Sequence, residues 1–323
     1  MKRTIGLVLF LLFAVQFMGC KRNDRQTRPL IYIHAVTIFP GWESSEVIRL
    51  ETVKSTSIVR KSGVKSFTSK GEVELHIVKV GGNEWRCSWR ITDIKNSRGN
   101  SVLSDGLDGF LKIFSYDFVL DSRGIFKELV NWKDIQCKGI AAIDSIQKEL
   151  EHNAPGDAAL MANLLIEKRK MLESKVVIED NFLQDVRLFF ALGGVEAVKG
   201  DTLEGLLPIA CPLNIGSIMQ PVFITLENAY SDSTCDILMA NSIDMLKLGR
   251  ALHRFAEKES RSSEALNLTG EFGEEILSSG TVVLFNISLK TGLVESAVSV
   301  KRVMLDDVEN IEMTEIRRVR GDS

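Results

Sequence analysis

The strictest pattern in the chain lies between Glu72 and Thr92. Val73, Leu75 and Ile77 alternate with Glu72, Glu74 and His76; Gly81-Gly82-Asn83 then breaks the pattern. After the break, Trp85, Cys87, Trp89 and Ile91 alternate with Arg86, Ser88, Arg90 and Thr92. A period of two sends successive side chains to opposite faces, so this stretch is an antiparallel hairpin with one dry face and one wet face. Cys87 is therefore expected in the core and His76 at the surface. A dry face has to be buried, so the rest of the chain must supply more strands and a layer to cover them.

The flanking sequence offers both. Leu30–Phe39 reads as one buried strand stopped by Pro40-Gly41, and residues 47–60 as another strand. A second hairpin puts Phe110, Phe114, Tyr116 and Phe118 on one face and turns at Asp121-Ser122-Arg123-Gly124. Leu111, Ile113 and Val119 oppose those aromatics, which implies a central strand or one covered on both sides. The period then becomes helical. A first helix starts at an Asn131 cap and runs to Glu151, a second runs from Asp157 past Leu172, and a third from Glu179 to Leu192 ends at Gly193-Gly194. Residues 193–221, dense in Gly and Pro, read as an irregular connection, either a flap or a domain seam. Strands resume at Val222–Leu226 and Cys235–Ala240, and a fourth helix is expected near 242–256. The end is again β: Thr281–Leu289, with Val283, Phe285, Ile287 and Leu289 facing in, then Leu293–Met304, Val308–Met313 and Ile316–Val319. The expected class is α+β: antiparallel sheet, curved into an open half-barrel, packed with a central block of three helices and the fourth helix.

The first twenty residues, MKRTIGLVLFLLFAVQFMGC, carry a different message. Lys2 and Arg3 precede an apolar run from Ile5 to Met18, and Gly19-Cys20 follow. The run is shorter than the roughly 20 residues a membrane span needs, and the charge–apolar–small order is that of a secretory signal. With Cys20 directly after the small residue, the stretch resembles the lipobox of bacterial lipoproteins. The resemblance covers residues 1–20 only; Gly19 fits the pattern, while Phe17 and Met18 depart from it. It implies cleavage before Cys20, acylation of that cysteine, and anchoring in a bilayer of the cell envelope. Lys21 in the next position points to the outer membrane, facing the periplasm, if the organism has two membranes. Residues 20–29 then form a lipidated cysteine and polar tether ahead of a globular body over 30–320.

A formal charge of −3 argues against nucleic acid as a partner. Besides Cys20 there are Cys87, Cys137, Cys211 and Cys235, without CxxC spacing. They read as small buried hydrophobes; if one bridge forms, Cys211–Cys235 closes the shortest loop. HExxH, GxSxG, GxGxxG and phosphate-loop motifs are absent. His34, His76, His152 and His253 are far apart, so no metal, cofactor or catalytic set is expected. The element order is similar to that of envelope lipid and lipoprotein carriers with a half-barrel and helical lid. The expected function is non-enzymatic binding of an apolar ligand or chain segment, with Trp85, Trp89, Phe110, Phe114, Tyr116 and Phe118 as candidate contacts. The alternative is an interaction or scaffold lipoprotein with no ligand cavity, meeting another envelope protein.

Overall fold

The structure, a computed structural model, describes residues 28–43, 45–80, 84–96, 112–153, 162, 165–210, 217–242, 277–305 and 308–320. Cys20, Phe110, Cys211 and the expected helix at 242–256 beyond Ser242 lie outside these residues. In chain order the elements are β1 (Leu30–Ile31), β2 (Ala35–Thr37), β3 (Glu46–Arg60), β4 (Gly63–Val80), β5 (Glu84–Asn96), β6 (Ser115–Leu120) and β7 (Phe126–Leu129). Helices α1 (Trp132–Asn153), α2 (Lys175–Phe182) and α3 (Gln184–Phe189) follow. Then come β8 (Glu196–Val198), β9 (Thr202–Ala210), β10 (Ser217–Tyr230), β11 (Thr234–Ser242), β12 (Leu277–Ser288), β13 (Val294–Leu305) and β14 (Val308–Arg318).

The fold is mainly antiparallel sheet. The strand order is β1-β10-β11-β12-β13-β14-β3-β4-β5-β6-β7, with β9 sharing β1's edge of β10, and the two ends do not pair, so the sheet is not closed. It consists of two meanders, β3–β7 and β10–β14, zipped together where β14 pairs with β3 from Glu309↔Val59 to Arg318↔Leu50. Strands β2 and β8 form a separate small ribbon.

The hairpin expected between Glu72 and Thr92 is β4–β5, with Leu75 opposite Trp89 and Ile77 opposite Cys87. Their shared face is dry: Leu75, Ile77, Cys87 and Trp89 are all buried, while His76 is exposed. Removing one such side chain from water stabilises by roughly 1.5–3 kcal/mol. Residues of α1 (Ile135, Ile143), α2 (Ile178) and α3 (Val186, Phe189) join the same apolar cluster as both meanders. Polar contacts fix the helices in place. Glu179 Oε1 accepts from Leu129 N at 3.0 Å, and Gln136 Nε2 donates to Leu172 O at 2.7 Å. Asn131 bridges to β6, accepting from Asp117 N at 3.0 Å and donating to Ser115 O at 2.7 Å.

Four local expectations need correction. Residues 30–39 are two short strands with Leu30, Tyr32 and Phe39 exposed, because they lie along the edge of β10 and on the β2–β8 ribbon. Strand β6 stands beside the edge strand β7, and Ile113 just before it is exposed, so only its aromatic face is covered. The expected helix at 179–192 is two short ones: Ser174 caps α2 by accepting from Val177 N, and Leu183 (φ −100°, ψ 17°) separates α2 from α3. The supposed irregular stretch 193–221 contains β8, β9 and the start of β10.

Candidate functional site

Alternation along β5 and β6 sends Trp85, Trp89, Phe114, Tyr116 and Phe118 to the dry face, where each meets another ring. Trp89 lies 5.9 Å from Phe189, Trp85 5.1 Å from Trp42, and Phe118 5.7 Å from Phe190, all edge-on. Phe114 and Tyr116 meet Phe182 of α2 at 5.7 and 6.4 Å. Such pairs add about 0.5–1.5 kcal/mol each beyond burial. The expected contact residues are thus brought together, and they are packed against protein.

A cavity of about 10 Å³ lies among Ile38, Trp42, Gly124, Phe190, Ile287 and Leu293. That volume suits about one water molecule. Trp42 lines the cavity, and its Nε1 is buried with no hydrogen-bond partner among the described residues. Two turns frame this place. Gly124 (φ 82°) packs against Pro40 and Trp42, and Gly292 (φ 68°) against the backbone of Phe39. A Cβ at either glycine would face both a left-handed backbone and a wall.

Burial governs the largest shifts among the described titratable groups. Burial pushes the Cys87 thiol up to about 12, and burial with a contribution from Asp236 does the same to Cys235. Both are inert thiols, and Cys235 is free. Burial, with the Asp185 charge adding, also raises the Tyr116 hydroxyl. Among the described residues no group of His, Cys, Asp and Glu is placed to hold a metal ion, and no helix is long and apolar enough to cross a membrane. One buried polar cluster stands out. Asp236 accepts from Tyr230 Oη at 2.6 Å and from Asn286 Nδ2 at 2.8 Å.

That cluster lies on the face of the sheet turned away from the core, and the same face carries a feature the sequence reading missed. Strands β11 and β12 carry apolar residues on both sides, and β13 and β14 extend the outer one. On one side Ile237, Met239, Val283, Phe285 and Ala297 enter the core. On the other, one cross-strand row runs Leu238–Leu284–Val298 and the next Phe223–Ala240–Val282–Val300–Met313. Val282 and Ala240 are buried without belonging to the core cluster, while Leu238, Leu284, Val298, Val300 and Met313 are half-buried. The signal was present as apolar residues at both parities in Thr281–Ile287, which a single inward face does not require.

No family model matches the chain, and no curated protein matches it. Among solved structures it is similar to lipovitellin, studied for its lipid–protein interactions, with a TM-score of 0.46 and 11% identity over 86% of this chain. The chain spans 25% of that lipovitellin chain. DynF from the dynemicin biosynthesis pathway of Micromonospora chersina gives a TM-score of 0.20 and 7% identity, covering 93% of each chain. Neither likeness assigns a function to this chain.

Proposed function

We propose that this chain is a lipid-anchored protein of the cell envelope that binds an apolar ligand or chain segment and catalyses no reaction. Cys20 carries the anchor, as the lipobox resemblance implies, and the body works in the aqueous space beside the membrane. The observation that carries the binding role is the second apolar face of β11–β14. A strand needs only one dry face to belong to this core, and Leu238, Leu284, Val298 and Val300 lie on the other.

The body is read as a curved open half-barrel wrapped around a helical block. The β6–β7 turn and the β12–β13 turn both touch residues 39–42, although β6 and β12 are six strand spacings apart, about 29 Å in a flat sheet. Bending the sheet reconciles the two. The ring-filled concave side favours a second reading, an interaction or scaffold protein without a cavity, because a void of about 10 Å³ admits no lipid chain. Both readings place the partner on a surface of the sheet.

Native mass spectrometry with solvent extraction, on protein isolated gently from its own envelope, tests the role. An apolar molecule or a second polypeptide is expected from the wild type and is lost in Leu238→Asp. A bare chain in both samples overturns the binding role. The mass of the N-terminal peptide reports acylation of Cys20 separately.

A further inference from the structure

The tether arrives at one particular edge of the sheet. Arg28 Nη1 donates to Thr234 Oγ1 at 3.3 Å and pairs with Asp232 at 3.4 Å, and its guanidinium lies 5.8 Å from the Tyr230 ring centre. Ser231 N donates to Pro29 O at 3.0 Å, after which β1 pairs Leu30 with Tyr230 and Ile31 with Ala229. The chain is therefore pinned to the β10–β11 hairpin from Arg28 onward. Further along the same edge of β10, β9 pairs Leu203 with Ile224 and Leu206 with Pro221.

This edge exposes large apolar side chains in sequence: Leu30, Ile31 and Tyr32 are 65%, 41% and 84% exposed, and Leu203 and Leu206 are 42% and 62% exposed. They border a stretch of β10 from Tyr230 to Pro221, roughly 30 Å of strand. An open edge bearing apolar residues invites pairing or adsorption unless something covers it.

We infer that the β1/β9 edge rests on the bilayer surface, with Tyr32, Leu30 and Leu206 as its contact residues. This rests on the lipidation of Cys20 proposed above. Eight residue steps separate Cys20 from Arg28, which caps their separation at roughly 26–29 Å. Part of that reach is used in crossing the headgroup layer, about 5–8 Å thick. The edge nearest the anchor point thus cannot stand far from the lipid, and it carries Tyr32, Leu30 and Leu206, which are 84%, 65% and 62% exposed. A tyrosine with a wet hydroxyl and an apolar ring suits the headgroup boundary. Contact there supplies the second membrane signal that turns reversible attachment into stable attachment. It also sets an orientation: the β3–β4 turn, at the far end of the longest hairpin, points away from the tether.

Hydrogen exchange on the acylated full chain in phosphatidylethanolamine–phosphatidylglycerol vesicles tests this, compared with the unacylated Cys20→Ser chain in buffer. Amides of residues 30–32 and 202–207 are expected to exchange at least tenfold more slowly on vesicles, with residues 63–68 unchanged. A Leu30→Ser/Tyr32→Ser/Leu206→Ser chain stays anchored through Cys20 but loses that protection. In the Cys20→Ser background, the triple change is expected to lower residual vesicle binding at least tenfold, with circular dichroism unaltered. Equal protection with and without vesicles overturns the inference. So does protection that rises with protein concentration in buffer, which assigns the edge to a second copy. If the N-terminal peptide carries no acyl group, the anchoring reading fails by itself. The vesicle binding of the Cys20→Ser chain still decides the edge: no binding, or binding that survives the triple change, overturns it.

Discussion

The two meanders of this sheet solve the burial problem differently. In β3–β5, apolar and polar residues alternate, as in Val73-Glu74-Leu75-His76-Ile77, and one covered face is enough. In β11 and β12 the alternation is lost: Ile237 and Leu238, or Val282 and Val283, are apolar neighbours pointing to opposite sides. The first meander is complete once the aromatic layer and helices cover it. The second carries apolar residues on both faces, and on the outer one Val282 and Ala240 are buried while Leu238, Leu284 and Val298 are half-buried.

The sharpest way to break this contrast is to place a carboxylate on each side of β11. Ile237→Asp puts a charge into a fully buried position and should remove at least ~4 kcal/mol, enough to abolish cooperative urea unfolding in a marginal domain. Leu238→Asp, one residue on, should cost no more than about 1 kcal/mol in the isolated chain. Equal losses would mean that both faces are core. In the first meander, Trp89→Ala leaves a hole opposite Phe189 and should cost about 3–5 kcal/mol in the same titration. Asn131→Ala, which unpairs Asp117 N and Ser115 O, should cost about 1–2 kcal/mol and loosen the start of α1.

The smallest effect concerns the thiols, one in each meander. Cys87 and Cys235 ionise near 12 when folded but near the ordinary thiol value of 9.0 when unfolded. Their contribution is therefore intact below about 9 and is lost as pH rises from there towards 12. Cys87→Ala should make that alkaline decline shallower. At neutral pH, iodoacetamide should label exposed Cys137 and spare Cys87 and Cys235, as read by peptide mass. Early labelling of Cys235 alone would show that the second meander opens locally.

Much of this architecture was legible in the sequence wherever one face is dry and the other wet. The β4–β5 register and the turns at Gly124 and Gly292 follow from alternation and turn residues. Legibility failed where a rule has an exception at an edge. Gly205 and Pro208 read as strand breakers, yet both lie in β9, an edge strand that tolerates a residue without an N–H. Apolar Leu30–Phe39 read as buried, yet Tyr32 is the most exposed large apolar residue among those described. The candidate contacts illustrate a different limit. Rings on one face of β5 and β6 signalled burial correctly, but sequence does not say whether the covering layer is a ligand or the chain's own Phe182, Phe189 and Phe190. The outer face of β11–β14 escaped notice because its residues also satisfied the simpler reading of a buried strand.

The most direct test of the central claim is photo-crosslinking in the native envelope, with benzoylphenylalanine placed at Val300 and, as the control, at Glu74 on the wet face of β4. The account predicts an adduct to a lipid or to a second polypeptide from position 300 and none from position 74. Adducts from position 300 confined to other parts of the same chain would contradict it, because the second apolar face would then belong to the fold rather than to a partner.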